Sequence, residues 1–169
     1  MIRTKLIVIM AVAGILMSGA AYCKGAVNVG NTICPVMGDK ITSTDPPTAV
    51  YKGKTYNLCC RSCVEDFNKD PAKYASRFKV INIAAKQFSF IPDKIAVNKG
   101  DVVRIVLASK DVDHGFKIKE YGIDIHVKGK ATNSAEFLAD KAGKFTYYCS
   151  VFCGFGHMGM KGELTVKGQ

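Results

Sequence analysis

The chain has no tryptophan, only three histidines and only five prolines among 169 residues. Any aromatic needed at a surface must therefore be Phe or Tyr, and imidazole can come only from His114, His126 and His157. There is no arginine-rich run and no interleaving of aromatic with basic residues, so no nucleic-acid partner is expected. No nucleophile–base pair stands out, which argues against substrate turnover by this chain alone. Beyond residue 22 there is no long apolar run and no long helical pattern.

The chain begins with two basic residues, Arg3 and Lys5, then an apolar run from Leu6 to Met17, then Ser18-Gly19-Ala20-Ala21. A basic start, a short apolar core and a small-residue end mark a secretory signal, with Ser18 and Ala20 placed for cleavage after Ala20. The run is near the lower limit for crossing a bilayer. Residues 1–22 therefore read as a signal peptide or a membrane anchor, and residues 23–30 as a linker. Bulky Tyr22 before Cys23 argues against lipid modification there. Either form of the leader puts the body outside the cytoplasm, in the periplasm or anchored to the outer face of the cytoplasmic membrane. The formal charge is +10. Without residues 1–24 the body keeps 21 basic and 14 acidic side chains, divided as +3 over residues 25–79 and +4 over residues 80–169.

Seven cysteines in an exported protein would ordinarily form disulfides. Apart from Cys23 they fall into two groups: Cys34, Cys59, Cys60 and Cys63, then Cys149 and Cys153. Each group has short internal spacing and its own local context. Metal sites explain that better than staples, although the disulfide reading stays open for both.

The first group lies in residues 31–79. Cys34-Pro35-Val36 opens it, and Tyr51 to Leu58 reads as a hairpin turning at Lys52-Gly53. Cys59 to Cys63 then leads into apolar residues at helical spacing, and Asp70-Pro71 is placed to start a second helix. A loop cysteine with a Cys-x3-Cys pair across a hairpin-to-helix junction is a treble-clef-like ligand layout in a small α+β domain. So small a core would gain stability from a bound metal.

From residue 80 short strands alternate with turn signals, as in an all-β sandwich. The last two strands flank Cys149-Ser150-Val151-Phe152-Cys153-Gly154-Phe155-Gly156-His157-Met158-Gly159-Met160. Two thiols, an imidazole and a thioether follow one another at spacings of four, four and three. A thiol pair four apart is half of a zinc site, but soft sulfur with imidazole and a nearby methionine suits copper. His126 shares strand parity with Asp124 and Lys128, so it is expected on the surface. His114, just past a strand end, is the imidazole expected to join His157.

Residues 31–79 resemble the YHS family of small heavy-metal-binding domains, through Cys34-Pro35-Val36, Tyr51-Lys52-Gly53-Lys54-Thr55-Tyr56, Cys59-x3-Cys63 and Asp70-Pro71-x-x-Tyr74. That resemblance implies Cys34, Cys59 and Cys63 as ligands of zinc or Cu(I), with Cys60 an extra thiol. Residues 80–169 resemble the CuA domain, a cupredoxin-like Greek-key sandwich, of haem–copper oxidase subunit II and of nitrous oxide reductase. The motifs are Asp111-Val112-x-His114-Gly115-Phe116 and Cys149-Ser150-x-Phe152-Cys153-Gly154-x-Gly156-His157-x-x-Met160. The resemblance implies two copper ions held by His114, Cys149, Cys153, His157 and Met160, with the backbone carbonyl of Val151 where relatives commonly have Glu. It also implies one-electron transfer with a redox protein such as a cytochrome c, and a place as the electron-accepting subunit of a terminal oxidase or reductase. Two features depart from the family: the surface tryptophan common in members served by cytochrome c is absent, with Phe88 a candidate substitute, and a +4 domain fits a neutral or acidic partner. A periplasmic copper chaperone, store or sensor is the alternative.

Overall fold

The computed structural model describes residues 25–168. The leader and Cys23 lie outside these residues, and no helix among the described residues is long and apolar enough to cross a membrane.

The first domain is built on a three-stranded sheet of β1 (Val27–Asn28), β3 (Lys54–Asn57) and β2 (Thr48–Tyr51), in that order. The β2–β3 hairpin turns at Lys52-Gly53, whose φ angles are 48° and 71°. Both central residues are thus left-handed, as a type I′ turn requires, and glycine takes one of them without strain. The expected linker needs correction: Val27 and Asn28 pair in parallel with Lys54 and Thr55, so part of residues 23–30 belongs to the sheet. Two helices follow, α1 (Arg61–Lys69) and α2 (Pro71–Arg77). Asp70 caps α2 by accepting the Lys73 N–H, with Pro71 in the first turn. The core of this domain is small, with Tyr56, Leu58 and Phe67 packed beside buried Cys34 and Cys63.

The second domain is a sandwich of two sheets. One orders β10 (Thr132–Leu138), β7 (Val102–Ser109), β4 (Phe78–Lys86) and β5 (Ser89–Ile91). The other orders β6 (Lys94–Asn98), β12 (Lys161–Lys167), β11 (Gly143–Tyr148), β8 (His114–Ile118) and β9 (Ile123–Val127). Alternation dictates the inward faces: in β9, Ile123, Ile125 and Val127 are buried while Asp124 and His126 face out. Between the sheets Phe90, Phe116 and Tyr147 meet with ring centroids 4.6–5.6 Å apart. These rings underlie the end of the sandwich that carries the cysteine loop.

No spacer separates the domains. β4 begins at Phe78, directly after α2 and two residues before the expected boundary. Arg104 on β7 pairs with Glu136 on β10 and stacks on the Phe78 ring, 5.1 Å from its centroid. Its guanidinium also donates to the Val29 carbonyl at 2.7 Å and the Gly30 carbonyl at 2.6 Å. Glu136, with its side chain 4% exposed, accepts from the Thr32 N–H at 2.8 Å and the Thr32 hydroxyl at 2.9 Å. One buried ion pair therefore holds residues 29–32 against the sandwich.

Removing one partner leaves the other charge buried and unpaired. Glu136→Ala is expected to lower stability by about 3–5 kcal/mol in urea unfolding, whereas replacing Arg104 and Glu136 together by Met and Leu should cost less. A single substitution no worse than the double one would show that the pair does not carry the junction.

Candidate metal centre

The cysteine loop connects β11 to β12 and is closed at its base by a backbone hydrogen bond from the Cys149 N–H to the Met160 carbonyl, 3.0 Å. Within it, Cys149 Sγ and Cys153 Sγ lie 4.0 Å apart. Two thiolates bound to one ion at about 2.3 Å with a tetrahedral angle sit roughly 3.8 Å apart, so the spacing suits shared metal. His157 Nδ1 is 3.8 Å from Cys153 Sγ, as is Met160 Sδ, and the Val151 carbonyl is 3.1 Å from Cys149 Sγ. His114 comes from β8, across the sheet, and its Nδ1 is 3.8 Å from Cys149 Sγ. Ligand-capable atoms of His114, Cys149 and Cys153 all lie within 4.8 Å of one another, and all three residues are buried. The structure thus brings together all six groups expected at this site, with one imidazole at each thiol.

Surrounding polar groups fix these orientations. His114 Nε2 is 2.7 Å from Asp111 Oδ1. With its proton there, the ring turns the Nδ1 lone pair toward Cys149. Burial pushes the Asp111 carboxyl up, but hydrogen bonds from the Gln87 N–H, the His114 ring and the Val112 N–H outweigh it and hold it below the ordinary range. The Ser150 hydroxyl donates to Asp124 Oδ1 at 2.6 Å, tying the loop to β9. Gln87 donates through Nε2 to the Cys153 carbonyl. At Gly115 the loop comes so close that a Cβ would meet Ser150 Oγ at 2.1 Å and the Ser150 and Val151 nitrogens within 2.9 Å. Gly154 has φ +129°, and the Phe88 ring lies against it and Gly156. Phe88 is thus partly absorbed in propping the loop.

His126 stands apart, outward on β9 beside Asp124, as its parity implies. Sequence reasoning missed the loop's exterior. Phe152 is 71% exposed, Met158 91% and Phe155 fully so, and Phe152 packs near His157 with centroids 5.8 Å apart. The available signal was three large apolar residues in a strand-connecting loop with no alternation to bury them.

The second cluster assembles where α1 begins. Sγ atoms of Cys34, Cys59 and Cys63 lie within 4.8 Å of one another. Cys59 and Cys63 are 3.5 Å apart, while Cys60 Sγ lies 3.1 Å from Cys63 Sγ. Burial pushes the Cys59 thiol up to about 11 and Cys63 well above its usual value. Cys60 is drawn down to about 7 by hydrogen bonds from Ser62 and then Cys63. All six cysteines of the described residues are free thiols.

Residues 64–166, over half of the chain, match the cupredoxin-like domain. The chain belongs to the cupredoxin-like family. That match starts inside α1, although the sandwich itself starts at Phe78. Residues 33–78 match the YHS domain. Nitrous-oxide reductase of Stutzerimonas stutzeri is 35% identical over 83 residues, 47% of this chain and 13% of that protein. Cytochrome c oxidase subunit 2 of Thermus thermophilus is 28% identical over 87 residues, 52% of this chain and 64% of that one. Among solved structures, a heme-copper terminal oxidase dimer aligns at 27% identity and TM-score 0.49, over 53% of this chain and 65% of that chain. The chain therefore spans only part of each of these relatives, a small part in the first case.

Burial, and next the neighbouring Cys149, push the Cys153 thiol up to about 11. In neutral solution it carries a proton, which a bound metal ion must displace. Metal affinity should accordingly rise with pH, about tenfold per unit for this one proton until pH reaches the thiol's own range. Calorimetric titration in buffers of different ionisation enthalpy measures the release. Uptake without proton release would exclude Cys153 as a ligand.

Proposed function

We propose that the second domain is an electron carrier holding two copper ions between Cys149 and Cys153. The observation that carries this reading is the placing of the two imidazoles, His114 at Cys149 and His157 at Cys153, each 3.8 Å from its own thiol. A mononuclear blue-copper site takes one thiolate; here two buried thiols stand 4.0 Å apart, each with its own imidazole. Thiolate, imidazole and thioether donors fit copper, and copper bound there would exchange single electrons. The chain's own contribution is rigidity and tuning. Asp111 orients His114, Ser150 and Gln87 hold the loop, and Met160 and the Val151 carbonyl would supply further, weaker donors. Cys34, Cys59 and Cys63 would form a separate heavy-metal site for zinc or Cu(I), whose three thiol donors, two of them buried, suit either ion.

Relatedness to an oxidase subunit 2 and to nitrous-oxide reductase supports a redox protein as partner, with a terminal oxidase or reductase as the wider assembly. It also supports an exported location, matching the leader's composition. The apolar cap of Phe152, Phe155 and Met158 offers the contact surface, in place of the missing tryptophan. A neutral or acidic cytochrome c fits the +4 charge of residues 80–169.

Copper counting with electron spin resonance tests the centre. Two coppers per chain and hyperfine structure shared by two equivalent nuclei are expected. Cys149→Ser should abolish that signal and His126→Ala should leave it intact. A spectrum of one isolated Cu(II) would end the binuclear reading.

The cap is tested separately. Phe155→Ser should slow electron exchange with a cytochrome about tenfold or more, as the loss of a central apolar contact does, while the resonance spectrum stays unchanged. An equal rate would move the contact elsewhere.

A further inference from the structure

We infer that Cys60 and Cys63 form a redox-active dithiol that exchanges with disulfides of other molecules and, by closing, disables the neighbouring three-thiol site. The carrying observation is a distance. Cys60 Sγ lies 3.1 Å from Cys63 Sγ, against 3.5 Å for Cys59–Cys63 and 3.9 Å for Cys59–Cys60. Two ligands of one tetrahedral ion sit roughly 3.8 Å apart. Cys60 and Cys63 are well inside that, about 1 Å from the separation of a bonded pair. Cys59 and Cys63 sit nearer to ligand spacing.

The surroundings assign the two sulfurs different parts. Cys63 is buried at the third position of α1, whereas Cys60 is only partly covered and sits one residue before the helix. Cys60-Arg61-Ser62-Cys63 has the two-residue spacing of dithiol redox motifs. An incoming disulfide therefore meets Cys60 first, because access selects the attacking sulfur. Cys60 Sγ, its proton released, bonds to one sulfur of that disulfide and expels the other as a thiol. Cys63 Sγ then attacks Cys60 Sγ, closes the Cys60–Cys63 bond and expels the second thiol. The dithiol loses two electrons, the incoming disulfide gains them, and the two protons leaving the cysteines end on the two thiols. The reverse sequence with a dithiol reductant reopens the pair.

Closure removes Cys63 from the set it shares with Cys34 and Cys59. A bridged Cys63 has no thiolate to give, so metal and disulfide exclude each other. This second half rests on the metal reading of Cys34, Cys59 and Cys63; the exchange reaction does not.

Metal-free full chain equilibrated with reduced and oxidised glutathione, then alkylated and cut with trypsin, tests the exchange. Cleavage after Arg61 separates residues 55–61 from 62–69, so a bridge to Cys63 is read as a linked peptide pair, and fragmentation between Cys59 and Cys60 identifies its partner. A link through Cys60, with Cys34 and Cys59 alkylated and no link in Cys60→Ser, is expected. A link through Cys59 or Cys34, a glutathione adduct without closure, or no link overturns the inference. In the second arm zinc-loaded protein meets glutathione disulfide. Wild type should release zinc about tenfold or more faster than Cys60→Ser. If Cys60→Ser takes up no zinc while wild type does, Cys60 is itself a ligand and the gating idea fails. If neither zinc nor Cu(I) binds reduced wild type, the proposed site fails and the linked peptide alone decides the dithiol.

Discussion

The backbone hydrogen bond from Cys149 to Met160, at the mouth of the β11–β12 connection, makes the loop between them a closed ring. Everything at the centre depends on that closure. Four of the side chains that converge there hang from the ring itself, so their relative positions are a local property of twelve residues. The fifth, His114, belongs to β8 and reaches the ring only because β8 pairs with β11 in the same sheet. The sandwich thus has one long-range task at this site: to hold β8 beside β11 tightly enough that Gly115 can touch the loop. Aromatic packing of Phe90, Phe116 and Tyr147 directly beneath performs it.

This division explains what could be read from the residues and what could not. Loop spacing gave Cys149, Cys153, His157 and Met160, because local spacing limits where side chains on a short closed loop can go. Parity in β9 separated His126 from His114, since an alternating strand leaves no freedom about which face a residue takes. Asp111 falls within the motif that contains His114, yet its part in orienting that ring depends on a carboxylate–ring distance that sequence does not carry. The Arg104–Glu136 pair was illegible for a related reason. Its two residues are 32 apart on paired strands and their contacts reach residues 29–32, so no periodicity flags them. The same contacts undo the expectation of a free linker: polar, small residues 25–30 look unstructured until an arginine from another domain donates hydrogen bonds to the carbonyls of Val29 and Gly30.

The two sulfur clusters share a chemistry but differ in mechanical setting. Cys149 and Cys153 stand at 4.0 Å on a ring pinned at both ends, with Gln87, Ser150 and Asp111 bracing the surroundings. Such a site resists rearrangement, which suits an ion that must change charge without changing ligands. Cys59, Cys60 and Cys63 straddle the start of a helix in a small domain, with three sulfur–sulfur distances between 3.1 and 3.9 Å. Several pairings there are close in distance, so the cluster is suited to exchange rather than to a permanent cofactor.

That contrast bears on how one chain would keep both clusters under the exported location proposed above, where thiols tend to oxidise. At the loop, the thiols are buried and 4.0 Å apart, so bonding them to one another would require drawing the ring inward by about 2 Å against its braces. At the helix start the corresponding movement is about 1 Å, and one sulfur belongs to the only partly covered Cys60. An oxidant meeting the whole molecule should thus spend itself first on Cys60 and Cys63. The rigid pair keeps its thiols for metal because its geometry makes the disulfide costly, and the loose pair stands where oxidation is cheapest to accommodate.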